Sequence, residues 1–329
     1  MPPHHINRRN VLHTAAALCS LGITAPAFAQ AKYPDQPVKI IVALPAGGGV
    51  DMIARNLAQR LSADLGQPFV VDNRAGGSGQ IGMPAVAKAA PDGYTLTISP
   101  ASFLTTNKSI FKNLPYDPEA DFTPVTRLVN QAMILVVKDK QKYPTFAAFL
   151  AAAKANPGKL TYASSGDGSP QHLAGLMFET RTQTKLLHVP YRGGALAIND
   201  TIAGVVDAIF AVMPEAVSHV KAGTLYPLAV MTAGRSTILP QVPTMVESGV
   251  KDLVLPTWIA LLAPAKTPKP IIDQLNRAVV AAFDADNRSK LAEIGMDTAP
   301  AGQEDLRALI ARDIKLHAEL VKAAGLLPQ

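Results

Sequence analysis

Short apolar runs alternate with amphipathic segments along most of this chain, the pattern of β-strands joined by crossover helices in a parallel sheet. Val38-Lys-Ile-Ile-Val-Ala-Leu44 reads as a strand. The segment from Val50 carries Ile53, Ala54, Leu57, Leu61 and Leu65 on one helical face and stops at Gly66, with Pro68 beyond. Phe69 to Val71 and Tyr94 to Ile98 are further strands, the second following a Pro91-Asp-Gly93 turn. A new set begins at Met133 to Val137. Thr145 is placed to cap an alanine-rich helix that ends at Asn156-Pro-Gly158, and strand Leu160 to Ala163 leads into helix Gln171 to Thr180. Strand Leu186 to Val189, a helix near Ala195 to Ala203, strand Ala208 to Val212, a helix to Lys221 and strand Tyr226 to Met231 complete that set. The Pro-rich stretch Leu255 to Pro270 reads as a return crossing, after which two amphipathic helices close the chain. One carries Ile271, Leu275, Ala278, Val279 and Phe283, and the other Leu306, Leu309, Ile310 and Ile314. The expected organisation is two α/β domains, residues 33–130 with 256–329 and residues 131–255, preceded by a leader over 1–29.

That leader has its own pattern. Arg8 and Arg9 form a basic start, Val11 to Leu21 an apolar core and Ala27-Phe-Ala29 an A-x-A cleavage signal. His13, Ser20 and Gly22 interrupt the apolar stretch, which is too short to span a bilayer. Asn7-Arg-Arg-Asn-Val-Leu12 carries a twin-arginine flavour, and Leu18 before Cys19 does not suit lipoprotein processing. An exported bacterial protein cleaved near Ala29 is expected. Cys19 is the single cysteine and leaves with the leader, which removes disulfides, thiolate nucleophiles and cysteine-ligated metals from consideration. The net charge of +6 falls to +4 when Arg8 and Arg9 are lost, because the leader has no acidic residue. Scattered basic residues and only 5% aromatics argue against a nucleic-acid surface.

Two glycine-rich loops stand between a strand and a helix: Leu44-Pro-Ala-Gly-Gly-Gly-Val-Asp51 and Tyr162-Ala-Ser-Ser-Gly-Asp-Gly-Ser-Pro-Gln-His172. Each leaves backbone N–H groups unpaired at the positive end of a helix, where an anion is favoured. In the first, Ala46, Gly47, Gly48, Gly49 and Val50 are candidate ligand contacts and Asp51 lies in the first turn, equally readable as a cap. In the second, Ser164, Ser165 and Ser169 add hydroxyls beside Gly166 and Gly168, Pro170 suits the first helical position, and His172 follows in the first turn. Asp207, ahead of a strand in Gly204-Val-Val-Asp-Ala-Ile-Phe210, is read either as a turn residue or as a further ligand contact, and Trp258 as hinge packing or pocket lining.

Rival chemistries are weaker. Gly77-Ser-Gly79-Gln-Ile-Gly82 fits G-x-G-x-x-G, but it follows the second strand and has no acidic residue about 20 positions on, so close packing or cleft lining is the preferred reading. His188, His219 and His317 have no His-x-x-x-His spacing, and neither a metal nor a cofactor is expected. A serine hydrolase would need Ser165 or Ser169 beside His172, and no Gly-x-Ser-x-Gly elbow is present.

These residues resemble the Bug-type solute-binding proteins of tripartite tricarboxylate transporters. The resemblance rests on the first glycine loop, Asp72-Asn-Arg-Ala-Gly-Gly77, Ala87-Lys-Ala-Ala-Pro-Asp-Gly-Tyr-Thr-Leu96 and Asn113-Leu-Pro-Tyr-Asp117. It continues through Asn156-Pro-Gly-Lys-Leu160, Ala163-Ser-Ser-Gly-Asp-Gly168, Gln171-His-Leu-Ala-Gly175, His188-Val-Pro-Tyr-Arg-Gly193 and Val242-Pro-Thr244. It implies a monomeric, non-enzymatic periplasmic protein of two doubly wound α/β domains closing like a flytrap on a small carboxylate. Ala46 to Asp51 and Ser164 to Ser169 would hold the ligand, with His172 just behind, and a two-part integral-membrane permease would receive it. The same fold presenting ligand to a membrane histidine kinase is the alternative. Leu44 stands where the family commonly has an aromatic, Val50 where it has threonine, and Ala75 and Leu196 where it has proline, so no member's particular ligand transfers.

Overall fold

A computed structural model describes residues 33–255 and 257–323; the expected leader over 1–29 lies outside the described residues. In chain order the strands are β1 (Val38–Val42), β2 (Phe69–Asn73), β3 (Thr95–Pro100), β4 (Phe122–Gln131), β5 (Met133–Val137), β6 (Thr161–Ser164), β7 (Leu187–Pro190), β8 (Ala208–Val212), β9 (Tyr226–Val230), β10 (Thr257–Pro264) and β11 (Met296–Thr298). The helices are α1 (Gly49–Leu65), α2 (Gly82–Ala87), α3 (Ala101–Thr105), α4 (Asn107–Ile110), α5 (Phe146–Ala155), α6 (Pro170–Thr182), α7 (Gly194–Ala203), α8 (Met213–Lys221), α9 (Lys269–Ala282), α10 (Ala285–Ala292) and α11 (Gln303–Ala323). By its contacts the chain divides after Asp35, and the unit from Gln36 onward carries both sheets.

Local chemistry explains the helix ends. α1 closes on Gly66, whose left-handed φ of 72° lets its N–H reach back to the Ser62 carbonyl. Thr145 caps α5 by accepting the Ala148 N–H, and Ser169 caps α6 with Pro170 in its first turn.

The first sheet has the order β11-β4-β10-β3-β1-β2 and the second β7-β6-β8-β5-β9. The β1–β2, β1–β3, β6–β7 and β6–β8 pairs are parallel, as the alternating pattern predicts. The purely parallel expectation needs correction: β10 runs antiparallel to β3 and β4, and β5 antiparallel to β8 and β9. These strands lie where the chain passes between the two sheets, so each enters its sheet from the opposite direction. β10 occupies part of the stretch expected to be only a crossing. All eight of its residues are buried, so it has no polar alternation to mark it. β4 was hidden by Pro124, which sits opposite Leu262 beside a shift in the β4–β10 register that accommodates it.

Among the described residues, apolar cores hold these layers on both sheets. One packs Ile41, Met83, Phe103, Trp258, Leu306 and Ile310 on the first sheet. The others cover the faces of the second sheet, around Phe149, Tyr162, Phe178 and Phe210 on one side and Ile198, Ile209 and Val217 on the other. α11 joins two of them: Leu306 and Ile310 belong to the first-sheet core, while Leu320 and Val321 belong to the core around Phe178. Trp258 is buried and its indole N–H donates to Asp313 of α11 at 2.8 Å, so it is a packing residue that ties β10 to that helix. Trp258→Phe should cost about 1–3 kcal/mol by leaving the buried Asp313 oxygen short of a donor, read as a lower melting temperature or urea midpoint.

His317, also on α11, meets the Thr105 and Thr106 hydroxyls at 2.8 and 3.0 Å, and burial pushes its pKa from the ordinary 6.5 down to about 4 despite the nearby Asp313. A folded pKa below the unfolded one means stability present above pH 6.5 and lost as pH falls towards 4. By pH 5 this residue alone should cost on the order of 2 kcal/mol. Melting curves of His317→Gln should therefore fall less steeply between pH 7 and 5 than those of the wild type; parallel curves would refute the assignment.

Candidate functional site: a cleft ringed by helix N-termini

The C-terminal ends of β1, β6, β7 and β8 each lead into a helix, α1, α6, α7 and α8, and in open α/β sheets ligands bind at such ends. Residues from all four helix starts line an inner cavity of about 280 Å³. An outer cavity of about 620 Å³ shares Leu44, Pro45, Ser165 and Arg192 with it. Together they suit a small organic molecule.

The first loop is held open by Asp51. This carboxylate is 3% exposed and accepts the Gly47 N–H and the Arg55 Nε, each at 2.9 Å, and Asn73 Nδ2 at 2.9 Å. Burial raises its pKa, but Arg55, Gly47 and Asn73 outweigh burial and hold it below the ordinary carboxylate value. Its oxygens are committed to the protein, so Asp51 shapes the loop. Gly47 turns at φ 88°, which glycine alone adopts readily. Gly48 then starts α1 with no side-chain cap, which leaves the first-turn N–H groups at Gly49 and Val50 facing the inner cavity that Ala46, Gly48, Gly49 and Val50 line.

The second loop turns its hydroxyls inward. Ser164 is fully buried, its Oγ accepting the Gly166 N–H at 3.1 Å and lying 2.6 Å from His188 Nε2. Ser169 Oγ is used as the α6 cap, and Ser165 Oγ donates to Gln171 Oε1 at 2.8 Å. His172 lies behind the loop, its Nδ1 accepting the Gly168 N–H at 3.1 Å. Burial, then the neighbouring His188, pushes the His172 pKa down to about 3. Ser165 lines both cavities, Gly166 and Ser169 only the outer one, while Ser164, Gly168 and His172 support the loop from behind. The G-x-G-x-x-G run lines the outer cavity too: Ser78 Oγ donates to the Asp167 carbonyl at 2.8 Å, a direct link between the loop after β2 and the loop after β6.

Asp207 is a correction. It precedes β8, at the strand end opposite the second loop. One carboxylate oxygen takes the Thr161 N–H and hydroxyl at 2.9 Å, and the other meets Lys142 Nζ at 2.7 Å and the Tyr143 hydroxyl at 3.0 Å. It locks β6 to β8 and has no part in the cleft. Sequence spacing also missed that Asp167, His172 and His188 bring ligand-type atoms within 4.8 Å of one another. The two imidazoles are stacked 4.0 Å apart and 3° from parallel, so their in-plane lone pairs run side by side and do not converge on one ion.

Several lining residues are not among those expected from the sequence, Gly193, Gly194, Gln131 and Glu215 chief among them. Gly193 and Gly194 form a third strand–glycine–helix junction, and α7 begins on Gly193 with no side-chain cap; the glycine pair before a helix was the available signal. α8 likewise has no side-chain cap. Gln131, at the end of β4, is 6% exposed and its Nε2 has no hydrogen-bond partner. Glu215, in the first turn of α8, accepts Gln171 Nε2 at 3.1 Å. Its surroundings lie deep in the protein and its exposed surface faces the cavity. Burial pushes its pKa up to about 7, against the opposing effect of Gln171.

Known proteins share this frame. The profile described as tripartite tricarboxylate transporter family receptor matches residues 53–326. BugT of Bordetella pertussis is 38% identical over 318 residues, covering 94% of this chain and 95% of that protein. Among solved structures, an R. palustris protein with adipate is 34% identical with a TM-score of 0.87, covering 90% of this chain and 100% of its own. MatC of Rhodopseudomonas palustris with bound malate is 28% identical with a TM-score of 0.83, covering 88% and 100%. With the profile running through most of the chain and BugT matching it almost end to end, the chain belongs to the tripartite tricarboxylate transporter receptor family, the Bug-type solute-binding proteins.

Proposed function

We propose that this receptor captures a small organic carboxylate in the periplasm and delivers it to the membrane permease of a tripartite tricarboxylate-type transporter. The observation that carries the ligand class is the inner cavity, where α1, α7 and α8 begin without side-chain caps. Three helix ends contribute about 0.3–1 kcal/mol each towards a negative charge. Hydrogen bonds to a charged group add about 1.5–3 kcal/mol each, so a few of them reach the roughly −8 kcal/mol of micromolar binding. The two similar structures holding adipate and malate support the same class.

The proposal is capture without chemistry. Ser164, the second-loop serine that meets an imidazole, is buried with its oxygen already engaged, and Ser165 and Ser169 are tied to Gln171 and to the α6 N-terminus. Closure would bring residues 33–130 with 256–329 and residues 131–255 together as two bodies, because a ligand touching both binds the closed state better. The receptor is proposed to work as a monomer.

Calorimetry against mono-, di- and tricarboxylates, acidic amino acids, neutral sugars and amines should find micromolar binding only among the acids; a tight neutral sugar with no acid bound would overturn the ligand class. In Gly48→Asp the added Cβ meets no atom within 4 Å and φ is ordinary, so the variant should fold with unchanged or higher stability. The new carboxylate would cap α1 itself and repel an anion, and affinity should drop at least 100-fold. Unchanged affinity in that folded variant would remove the first loop from the site.

A further inference from the structure

Glu215 is out of place in a cavity built for anions. Its carboxyl lies against the start of α7 so closely that any side chain at Gly194 would overlap it. One oxygen is met by the Gln171 amide; among the described residues no cation is bonded to either. The charged groups around it are few. Arg192 lines the cavity from the exposed loop before α7, and Asp51 on α1 is already paired with Arg55. β5 and β8, which pack against α8, offer Met133 to Val137 and Ala208 to Val212, all apolar, and α6 offers the uncharged Gln171. His219 and Lys221 sit in the last turn of α8, away from Glu215 in its first.

A second group in the same cavity points to a ligand independently. Gln131 Nε2 is a buried donor without a partner, close against Gly49 at the start of α1, where a Cβ would lie 3.3 Å from it. The cavity therefore presents an amide N–H and the uncapped starts of α1 and α7, all donors, whereas at α8 the Met213 N–H is spent on the Ala132 carbonyl and Pro214 has none. Of the two carboxyls in its lining, Asp51 is matched by Arg55, which leaves Glu215. Two arrangements satisfy that carboxyl: it is neutral and donates, or it is ionised and a ligand cation meets it. An ammonium has no lone pair for Gln131 and is repelled by the helix ends, whereas a carboxylate accepts from all of them.

We propose that Glu215 acts as a protonated hydrogen-bond donor to the carboxylate bound in the inner cavity, so that ligand capture takes up one proton from solution. The proton enters on Glu215 and stays there; no bond to the ligand is made or broken. Glu215 is thereby a specificity residue: it accepts a carboxylate at neutral pH and penalises one as the pH rises. A free-state pKa of about 7 sets the range in which this operates.

This inference rests on the carboxylate reading, and one experiment separates the two. The tightest binder among succinate, glutarate, adipate and malate is titrated at pH 6 and pH 8 in buffers of different ionisation enthalpy. At pH 8 Glu215 should take up about 0.9 proton per ligand and at pH 6 about 0.1, with affinity falling about tenfold per pH unit above 7. These ligands are fully ionised at pH 8; at pH 6 their residual monoanion releases a proton on binding, which is subtracted from the ligand's own titration curve. Burial pushes the pKa of His172 to about 3 and of His317 to about 4, and lowers that of His188. Glu215→Gln keeps a donor of the same shape, so it should bind with a flat pH profile and no proton uptake; its melting curve checks the fold. A dicarboxylate that binds the wild type with no proton uptake at pH 8 overturns the inference and leaves the carboxylate reading standing. Failure of all four acids overturns both. Tight binding of an amine-bearing ligand that Glu215→Gln abolishes shows an ionised Glu215 and overturns the inference as well.

Discussion

A helix that starts inside a protein exposes N–H groups that something must satisfy. Around this cleft the usual remedy is withheld: α1, α7 and α8 begin on Gly48, Gly193 and Val212, none of which supplies a side-chain acceptor, and only at α8 is the need reduced, because the Met213 N–H reaches the Ala132 carbonyl and Pro214 has no N–H. Much of the surrounding architecture serves to keep those starts bare. Asp51 is the natural candidate to cap α1, yet its oxygens are drawn to Gly47, Arg55 and Asn73. The carboxylate therefore stiffens the turn and leaves the first-turn N–H groups facing the cavity.

The same economy of charge extends across the site. Arg55 meets Asp51, so the buried carboxylate of the first loop is matched within the protein, and Arg192 lines both cavities. The serines of the second loop are bound to Gly166, Gln171 and His172, and the stacked His172–His188 pair fills the space behind them. That loop is pre-shaped by its own hydrogen bonds, which lowers the ordering cost on binding. On the carboxylate reading proposed above, anion preference would come from fixed backbone dipoles and Arg192, with Glu215 and Gln131 as the adjustable parts.

Much of the fold was legible because strands with one buried face and helices with one apolar stripe leave periodic traces. The capped start at Thr145, the stop at Gly66 and the Pro170 helix entry all appear in the structure where simple stereochemistry puts them. β10 was not legible because full burial erases alternation, and β4 because Pro124 interrupts it. The site divides in the same way. Glycine pairs at strand–helix junctions found two of the loops, and the third pair, Gly193 and Gly194, carries the same signal. Glu215 and Gln131 lie far apart in sequence and meet only because α8 and the end of β4 converge on one cavity. Asp207 misled because an acid ahead of a strand looks alike at either end of a sheet; Thr161 and Lys142 at the opposite end claim it.

The bare helix starts also bear on how such a receptor changes its guest over evolutionary time. Backbone N–H groups survive almost every substitution, so the anion-holding frame persists while the sequence around it drifts. What remains open to selection is a handful of side chains, Gln131, Arg192 and Glu215 among them, each of which can be exchanged without disturbing a strand, a cap or a core. On the carboxylate reading proposed above, paralogues built on this plan can diverge in diet by single replacements at the cavity wall, keeping the bare helix starts and rewriting only the side chains that tell one ligand from another.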